Sequence, residues 1–170
     1  MHTFQPYPRE VVEINPWVKI GDEWAAICAE KDGKANAMTA SWGGVGVMWN
    51  KDVATVYIRE SRYTKELIDG SDLFSICFFD NTPSNKATLK ILGSISGRNE
   101  DKMAGCKLHI NHHKDVPFID EASFVLVCKK LSKTEMTPDQ FIDPEIKDTY
   151  YKDGDYHTMY IGEILEILAR

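Results

Sequence analysis

Glu23-Trp24-Ala25-Ala26-Ile27-Cys28-Ala29-Glu30-Lys31-Asp32-Gly33-Lys34-Ala35-Asn36-Ala37-Met38-Thr39-Ala40-Ser41-Trp42-Gly43-Gly44 is the stretch on which the fold turns. Glu23–Glu30 and Asn36–Trp42 read as strands, and between them Asp32-Gly33 is a strong hairpin signal because both positions tolerate positive φ. The chain therefore starts as an antiparallel meander. Working outward, Ala54–Arg59, Leu73–Phe79, Ser123–Thr134 and His157–Leu168 are further strand-like segments with turn residues nearby. Helical punctuation is confined to short stretches. Ser61–Asp69 opens on hydroxyl residues and closes at Gly70, and Asn81-Thr82-Pro83 leads into Asn85–Leu92. A third short helix follows Arg98, through Asn99–Ala104, and Pro138–Tyr151 holds a fourth interrupted by prolines. Strands outnumber helices, and the helices are too short and too irregularly placed for βαβ units. The expected fold class is mainly β: a closed or nearly closed antiparallel barrel with peripheral helices.

The 170 residues suit a single domain, residues 1–170, and no repeat, low-complexity tract or linker divides them. With 20 Lys plus Arg against 26 Asp plus Glu, the net charge of -6 argues against general nucleic-acid binding, which draws on cations for phosphates. The N-terminus lacks an apolar signal region, and apolar runs such as Ala25–Ala29 and Phe124–Cys128 fall far short of a membrane span. The expectation is a cytoplasmic chain without membrane attachment. Cys28, Cys77, Cys106 and Cys128 contain no C-x-x-C pair and read mainly as reduced, packed thiols. His109, His112 and His113 lack a matching cysteine or carboxylate cluster for zinc, and Asp139, Asp143 and Glu145 match no calcium loop. No metal is expected.

Three segments carry candidate chemistry. Arg59-Glu60-Ser61-Arg62-Tyr63-Thr64 brings backbone N–H groups, hydroxyls and guanidinium groups to one helix N-terminus, which suits a phosphate or, equally, a plain capped helix with solvated arginines. Upstream, Asn36-Ala37-Met38-Thr39-Ala40-Ser41-Trp42 alternates small and hydroxyl residues before two glycines. Its peptide groups could meet a flat heteroaromatic ring, or it could be a core strand. Ser96-Gly97-Arg98, with Lys102 after it, is a tight turn that presents positive charge, or an ordinary charged loop. Gly43-Gly44-Val45-Gly46 leads to Val47-Met48-Trp49 and not to a helix, so the dinucleotide fingerprint is absent. No nucleophile–base arrangement stands out, and no catalytic side chain is assigned.

Taken in order, Asn36-x-Met38-Thr39-x-Ser41-Trp42-Gly43-Gly44, Arg59-x-Ser61-Arg62-Tyr63-Thr64, Ser96-Gly97-Arg98 with Asp101-Lys102, and Tyr160-Ile161-Gly162-Glu163-Ile164 resemble the flavin reductase-like family of FMN-binding split barrels, especially its flavoredoxin-like branch. The resemblance spans roughly residues 10–168. It implies an antiparallel Greek-key split barrel, a homodimer and FMN as cofactor. By the same resemblance Asn36, Met38, Thr39, Ala40, Ser41 and Trp42 line the ring and ribityl region, and Arg59, Ser61, Arg62, Tyr63 and Thr64 bind the phosphate end. Ser96, Gly97, Arg98 and Lys102 contribute from the adjoining loop, of the same or the second subunit. The implied activity is an oxidoreductase that moves electrons from a reduced donor, NAD(P)H or a redox protein, through FMN to free flavin or another acceptor. The alternative is a flavoredoxin-type carrier without its own nicotinamide site. Many such flavin reductases carry Gly-Asp-His near the last strand, associated with nicotinamide binding. Here the run is Asp153-Gly154-Asp155-Tyr156-His157, which leaves His157 a candidate substrate-binding residue and the donor open.

Overall fold

Asp32 and Gly33 adopt φ of 52° and 72°, and this left-handed pair turns β2 (Ala25–Lys31) into β3 (Lys34–Ala40) in the computed structural model, which describes residues Met1–Arg170. From there the chain departs from a simple meander. β4 (Gly43–Met48) leaves β3 and pairs instead with β5 (Lys51–Arg59), across a second left-handed turn at Trp49 and Asn50. After α1 (Tyr63–Asp69), β6 (Leu73–Phe78) returns to the first hairpin and pairs with β2. The long strands β9 (Phe124–Glu135) and β10 (His157–Ala169) then fill the gap between β6 and β5, and β1 (Gln5–Pro6) adds to the end of β10.

The resulting order is β3-β2-β6-β9-β10-β5-β4, with every pair antiparallel and neighbours out of chain order as in a Greek key. The two ends of this order, β3 and β4, are consecutive in the chain and separated only by Ser41 and Trp42. β4 covers β5 only as far as Val56, so Tyr57–Arg59 face the free edge of β3 across a gap in the wall. The barrel is split there.

Both faces of the wall are packed. Inside, Ile27, Met38, Val56, Ile58, Phe74, Ile76, Leu126 and Tyr160 form one apolar cluster with Leu67 and Ile68 of α1. Outside, Ala26, Cys28, Cys77, Val125 and Val127 pack under α2 (Pro83–Ser94), α3 (Lys102–Gly105) and the hairpin β7–β8 (Ile110–His113, Val116–Ile119). β2, β6 and β9 are therefore buried on two sides, which explains their nearly continuous apolar runs. Cys28, Cys77 and Cys128 are free and buried in these layers, with burial raising each thiol pKa. Cys106 is partly exposed.

Several sequence expectations are corrected in detail. The strand expected over Asn36–Trp42 ends at Ala40, because Ser41 and Trp42 form the corner that carries the chain to the opposite edge. The segment Pro138–Tyr151 is a 3-10 turn at Pro138–Gln140 and a separate helix α4 (Pro144–Tyr150), with Asp143 capping the latter. β4, β7 and β8 were not expected. α2 begins where its signals lie: Thr82 accepts from the Asn85 N–H at 3.2 Å and Pro83 occupies the first turn. No helix is long and apolar enough to cross a membrane.

Candidate functional site

Two adjoining clefts open at the split. One, of about 180 Å³, is lined by Met38, Thr39, Ala40, Ser41 and Trp42 on one side and by Tyr57, Arg59, Arg62 and His157 on the other. The second, of about 250 Å³, shares Met38, Arg59 and Arg62 and continues past Asn36, Ser61, Tyr63, Thr64, Ser96, Gly97 and Lys102. The edge of β3 explains the first cleft. In an edge strand alternate N–H and C=O groups point away from the paired neighbour, and here they face the gap. Gly43 then lets the chain cross tightly, since a Cβ there would lie 2.8 Å from the Thr55 carbonyl oxygen.

The second cleft is cationic although the chain is acidic overall. Arg62 precedes α1, whose first turn has no side-chain cap, and its half-buried guanidinium enters no ion pair or side-chain hydrogen bond with the rest of the chain. Burial lowers its pKa, Asp155 opposes that and Arg59 adds to it. Lys102 is buried, and its ammonium donates to the carbonyls of Leu92 at 2.9 Å and Ile95 at 3.0 Å, leaving a third N–H uncommitted. Burial first, then the Arg62 charge, brings its pKa down to about 8. Asn36 donates to the Thr64 hydroxyl at 2.8 Å and so locks β3 to α1 beneath this corner. Gly97 lies directly on Asn36, and a Cβ there would collide with the Asn36 amide.

Three expected ligand contacts are differently employed. Thr39 donates its hydroxyl to the Leu89 carbonyl, fixing α2 on β3, which leaves the β3 backbone and Ser41 to face the first cleft. Arg59 donates to the carbonyls of Asp155 at 2.8 Å and Tyr150 at 2.9 Å and lies 5.2 Å from the centre of the Tyr151 ring, so it braces the loop 151–156. Arg98 points out of the second cleft, over the Tyr63 ring at 5.5 Å and paired with Glu66. The helix expected to open on hydroxyl caps instead has Ser61 turned to Asp155 and Thr64 accepting from Asn36.

His157 sits at the back of the first cleft, 7% exposed, with Nδ1 2.7 Å from the Tyr151 hydroxyl. Burial and the Arg59 charge, opposed by Asp155, lower its pKa to about 4, so the ring is neutral at pH 7. Trp42 covers the mouth, 5.1 Å from His157 and edge-on to Tyr150 at 5.4 Å between ring centres. Tyr57, Ser94, Ile95 and Asp155 also line the clefts and were missed from sequence. Tyr57 lies two residues before Arg59 and so shares its face of the strand, a signal that was available. A larger groove of about 570 Å³ lies under the strap Pro6–Pro16, but it is largely apolar and its Arg9 is already paired with Asp52 at 2.5 Å.

The geometry fits a planar ring joined to an anionic tail: a narrow slot walled by strand backbone and Trp42 leads into a pocket where Arg62 and Lys102 keep donors uncommitted. Known proteins to which the chain is similar include FMN-binding ones. The flavin reductase-like domain profile matches residues 20–170. Among solved structures, flavoredoxin from Methanosarcina acetivorans is similar at 21% identity and a TM-score of 0.69, over 87% of this chain and 68% of that one. An FMN-binding domain of a flavin reductase-like enzyme from Shewanella baltica gives 20%, 0.68, 98% and 77% in the same order. Flavoredoxin of Desulfovibrio vulgaris gives 22%, 0.65, 86% and 69%. No curated protein sequence matches. At these identities the structural likeness establishes the split-barrel fold, and the profile match across most of the chain establishes that it belongs to the flavin reductase-like family.

Proposed function

We propose that the chain is an FMN-dependent oxidoreductase whose flavin lies along the split of the barrel. The observation that carries this reading is Arg62: a half-buried guanidinium with no partner in the protein, shared by both clefts and standing beside the uncommitted N–H of Lys102. A half-buried cation is costly when the carboxylate that offsets its burial, here Asp155, is hydrogen-bonded to Ser61 and not to it, and an anionic ligand tail relieves that cost. Bound FMN supplies hydride and electron transfer through its own ring. The protein residues do the rest. Arg62, Lys102 and the N–H groups at the start of α1 hold the phosphate, and Asn36 with Thr64 keeps that corner in shape. The free edge of β3 from Met38 to Ser41 would offer its backbone groups to the polar edge of the ring, with Trp42 walling the mouth. Neutral His157, its Nδ1 held by Tyr151, presents its other edge to the slot where the second substrate would approach.

The donor is NAD(P)H or a reduced redox protein, and the acceptor is free flavin or another oxidant. The loop Asp153–His157 favours keeping a carrier reading beside the enzyme reading: Tyr156 stacks on Tyr151 at 5.0 Å and fills space next to His157. The homodimer is part of the same proposal, supported by the resemblance and by the exposed apolar residues Val47, Met48 and Trp49 at the tip of the β4–β5 hairpin. No role in nucleic-acid or membrane binding is proposed.

Flavin titration tests the core of this reading. Wild-type protein should bind FMN and quench its fluorescence, and Arg62→Ala should weaken FMN by about 1.5 to 3 kcal/mol while leaving riboflavin nearly unchanged. Equal losses for both ligands would place the phosphate elsewhere. Steady-state oxidation of NADH and NADPH separates enzyme from carrier.

A further inference from the structure

Ser61 stands in the turn from β5 to α1, within the cationic cleft, yet both of its donors are already spent. Its backbone N–H donates to Asp155 Oδ1 at 3.0 Å and its hydroxyl donates to Asp155 Oδ2 at 2.6 Å. The carboxylate is held in that place by its surroundings. Arg59 grips the Asp155 carbonyl, the Asp155 N–H donates to Asp153 Oδ1 at 3.3 Å, and Gly154 at φ 76° makes the turn that aims the side chain back at Ser61. Asp155 lines the same cleft as Arg62, Thr64, Ser96 and Lys102.

A carboxylate bonded in this way presents the charge and the acceptor oxygens of a phosphate, so it occupies part of the place that a phosphate needs. A dianionic tail drawn to Arg62 and Lys102 meets Asp155 as a like charge and finds the Ser61 donors taken. A neutral tail meets neither obstacle.

Resting on the site reading above, we infer that Asp155 is a specificity-determining residue: its carboxylate competes with the flavin phosphate for Ser61 and sets how strongly the cleft prefers phosphorylated to unphosphorylated flavin. The competition loosens FMN without affecting riboflavin, so the flavin is held as an exchangeable ligand. Phosphate entry also requires the Asp155 side chain to release Ser61, while Arg59 keeps the loop itself in place through the Asp155 and Tyr150 carbonyls.

The test is titration of the full chain with FMN and with riboflavin, in wild type, Asp155→Asn and Asp155→Ala. Both variants should bind FMN about tenfold more tightly, the size of one screened like-charge contact, with riboflavin changed by less than about twofold. Inorganic phosphate should compete with FMN more effectively in both variants than in wild type. An FMN affinity that is unchanged or weaker in both variants overturns the inference. So does a gain confined to Asp155→Asn, because that would trace to a new amide donor. Should wild type bind FMN with its preference unmoved by either variant, the inference fails alone. Should no variant bind either flavin, the site reading fails and takes the inference with it.

Discussion

Lys102 shows how a single residue joins fold and site. Its ammonium ties the end of α2 to α3 through two carbonyls, and the cost of burying it beside Arg62 appears as a pKa of about 8. A phosphate within reach stabilises the charged form and raises that pKa. Between about pH 8 and the higher value in the complex, binding therefore requires uptake of a proton, and affinity for FMN should fall as pH rises through that window. Below pH 8 the lysine is charged in both states and the dependence on this group vanishes. Lys102→Gln should weaken FMN at pH 7 and flatten the curve above pH 8, read by fluorescence titration at fixed ionic strength. A wild-type affinity that holds constant from pH 7 to pH 10 would remove Lys102 from the phosphate corner. Of the other residues singled out in the sequence, Arg62 stands as the free cation, while Arg59, Arg98 and Thr39 are bound to protein partners. Residue type told which groups were capable of binding an anion. Which of them remained uncommitted depended on carbonyls and carboxylates far away in the chain, such as Asp155, Leu89 and Glu66.

At the scale of elements, the site is the meeting of an edge strand, a helix start and a loop. Gly97 makes that meeting close, since its backbone packs on the Asn36 amide that bonds Thr64. Gly97→Ala should push Asn36 aside and break this buried hydrogen bond, costing about 1 to 3 kcal/mol of stability and loosening FMN with it. Thermal unfolding and flavin titration on the same samples check both effects. Gly105→Ala is the control: nothing lies within 4 Å of the Cβ it adds, so both measurements should stay near wild type. The elements were legible where local chemistry governs them. Asp32-Gly33 marked the first hairpin and Thr82-Pro83 the start of α2. β4 went unread because its glycines lower strand propensity and its partner β5 supplies the pairing. The β7–β8 hairpin, turning at Lys114 and Asp115 with positive φ, lacks the glycine that would have announced it. Its histidines pair with carboxylates from elsewhere, His112 with Glu30 at 2.8 Å and His113 with Glu166.

For the whole molecule, the order of strands decides where a ligand can enter. Closing β3 against β5 would seal the barrel, but the short corner Ser41–Trp42 forces β4 onto β5 and leaves the last residues of β5 uncovered. β4 is also a terminal edge, with exposed Val47 on it and exposed Trp49 in the turn that follows, an apolar edge of the kind that proteins in water usually cover. Sedimentation should show a dimer, and the double variant Val47→Lys, Trp49→Lys should sediment as a monomer with its near-ultraviolet signal otherwise retained. A monomeric wild type would remove the homodimer from the proposal. Gly162 marks the opposite wall: a Cβ there would lie 2.5 Å from the Phe74 ring, so β10 bends over the core ring only because that position is bare.

The sequence by itself determined the fold class, the first hairpin, the capped start of α2 and the ordered set of segments that resembles a flavin-binding barrel. All of these follow from interactions between near neighbours in the chain or from the types of residue present. Only the tertiary structure decided that the two ends of the sheet meet at a gap, that Arg62 is left without a partner there, and that Asp155 already holds Ser61. Those outcomes depend on which polar groups find each other across the fold, and each buried donor or acceptor is settled by its spatial neighbours, which the order of residues alone does not display.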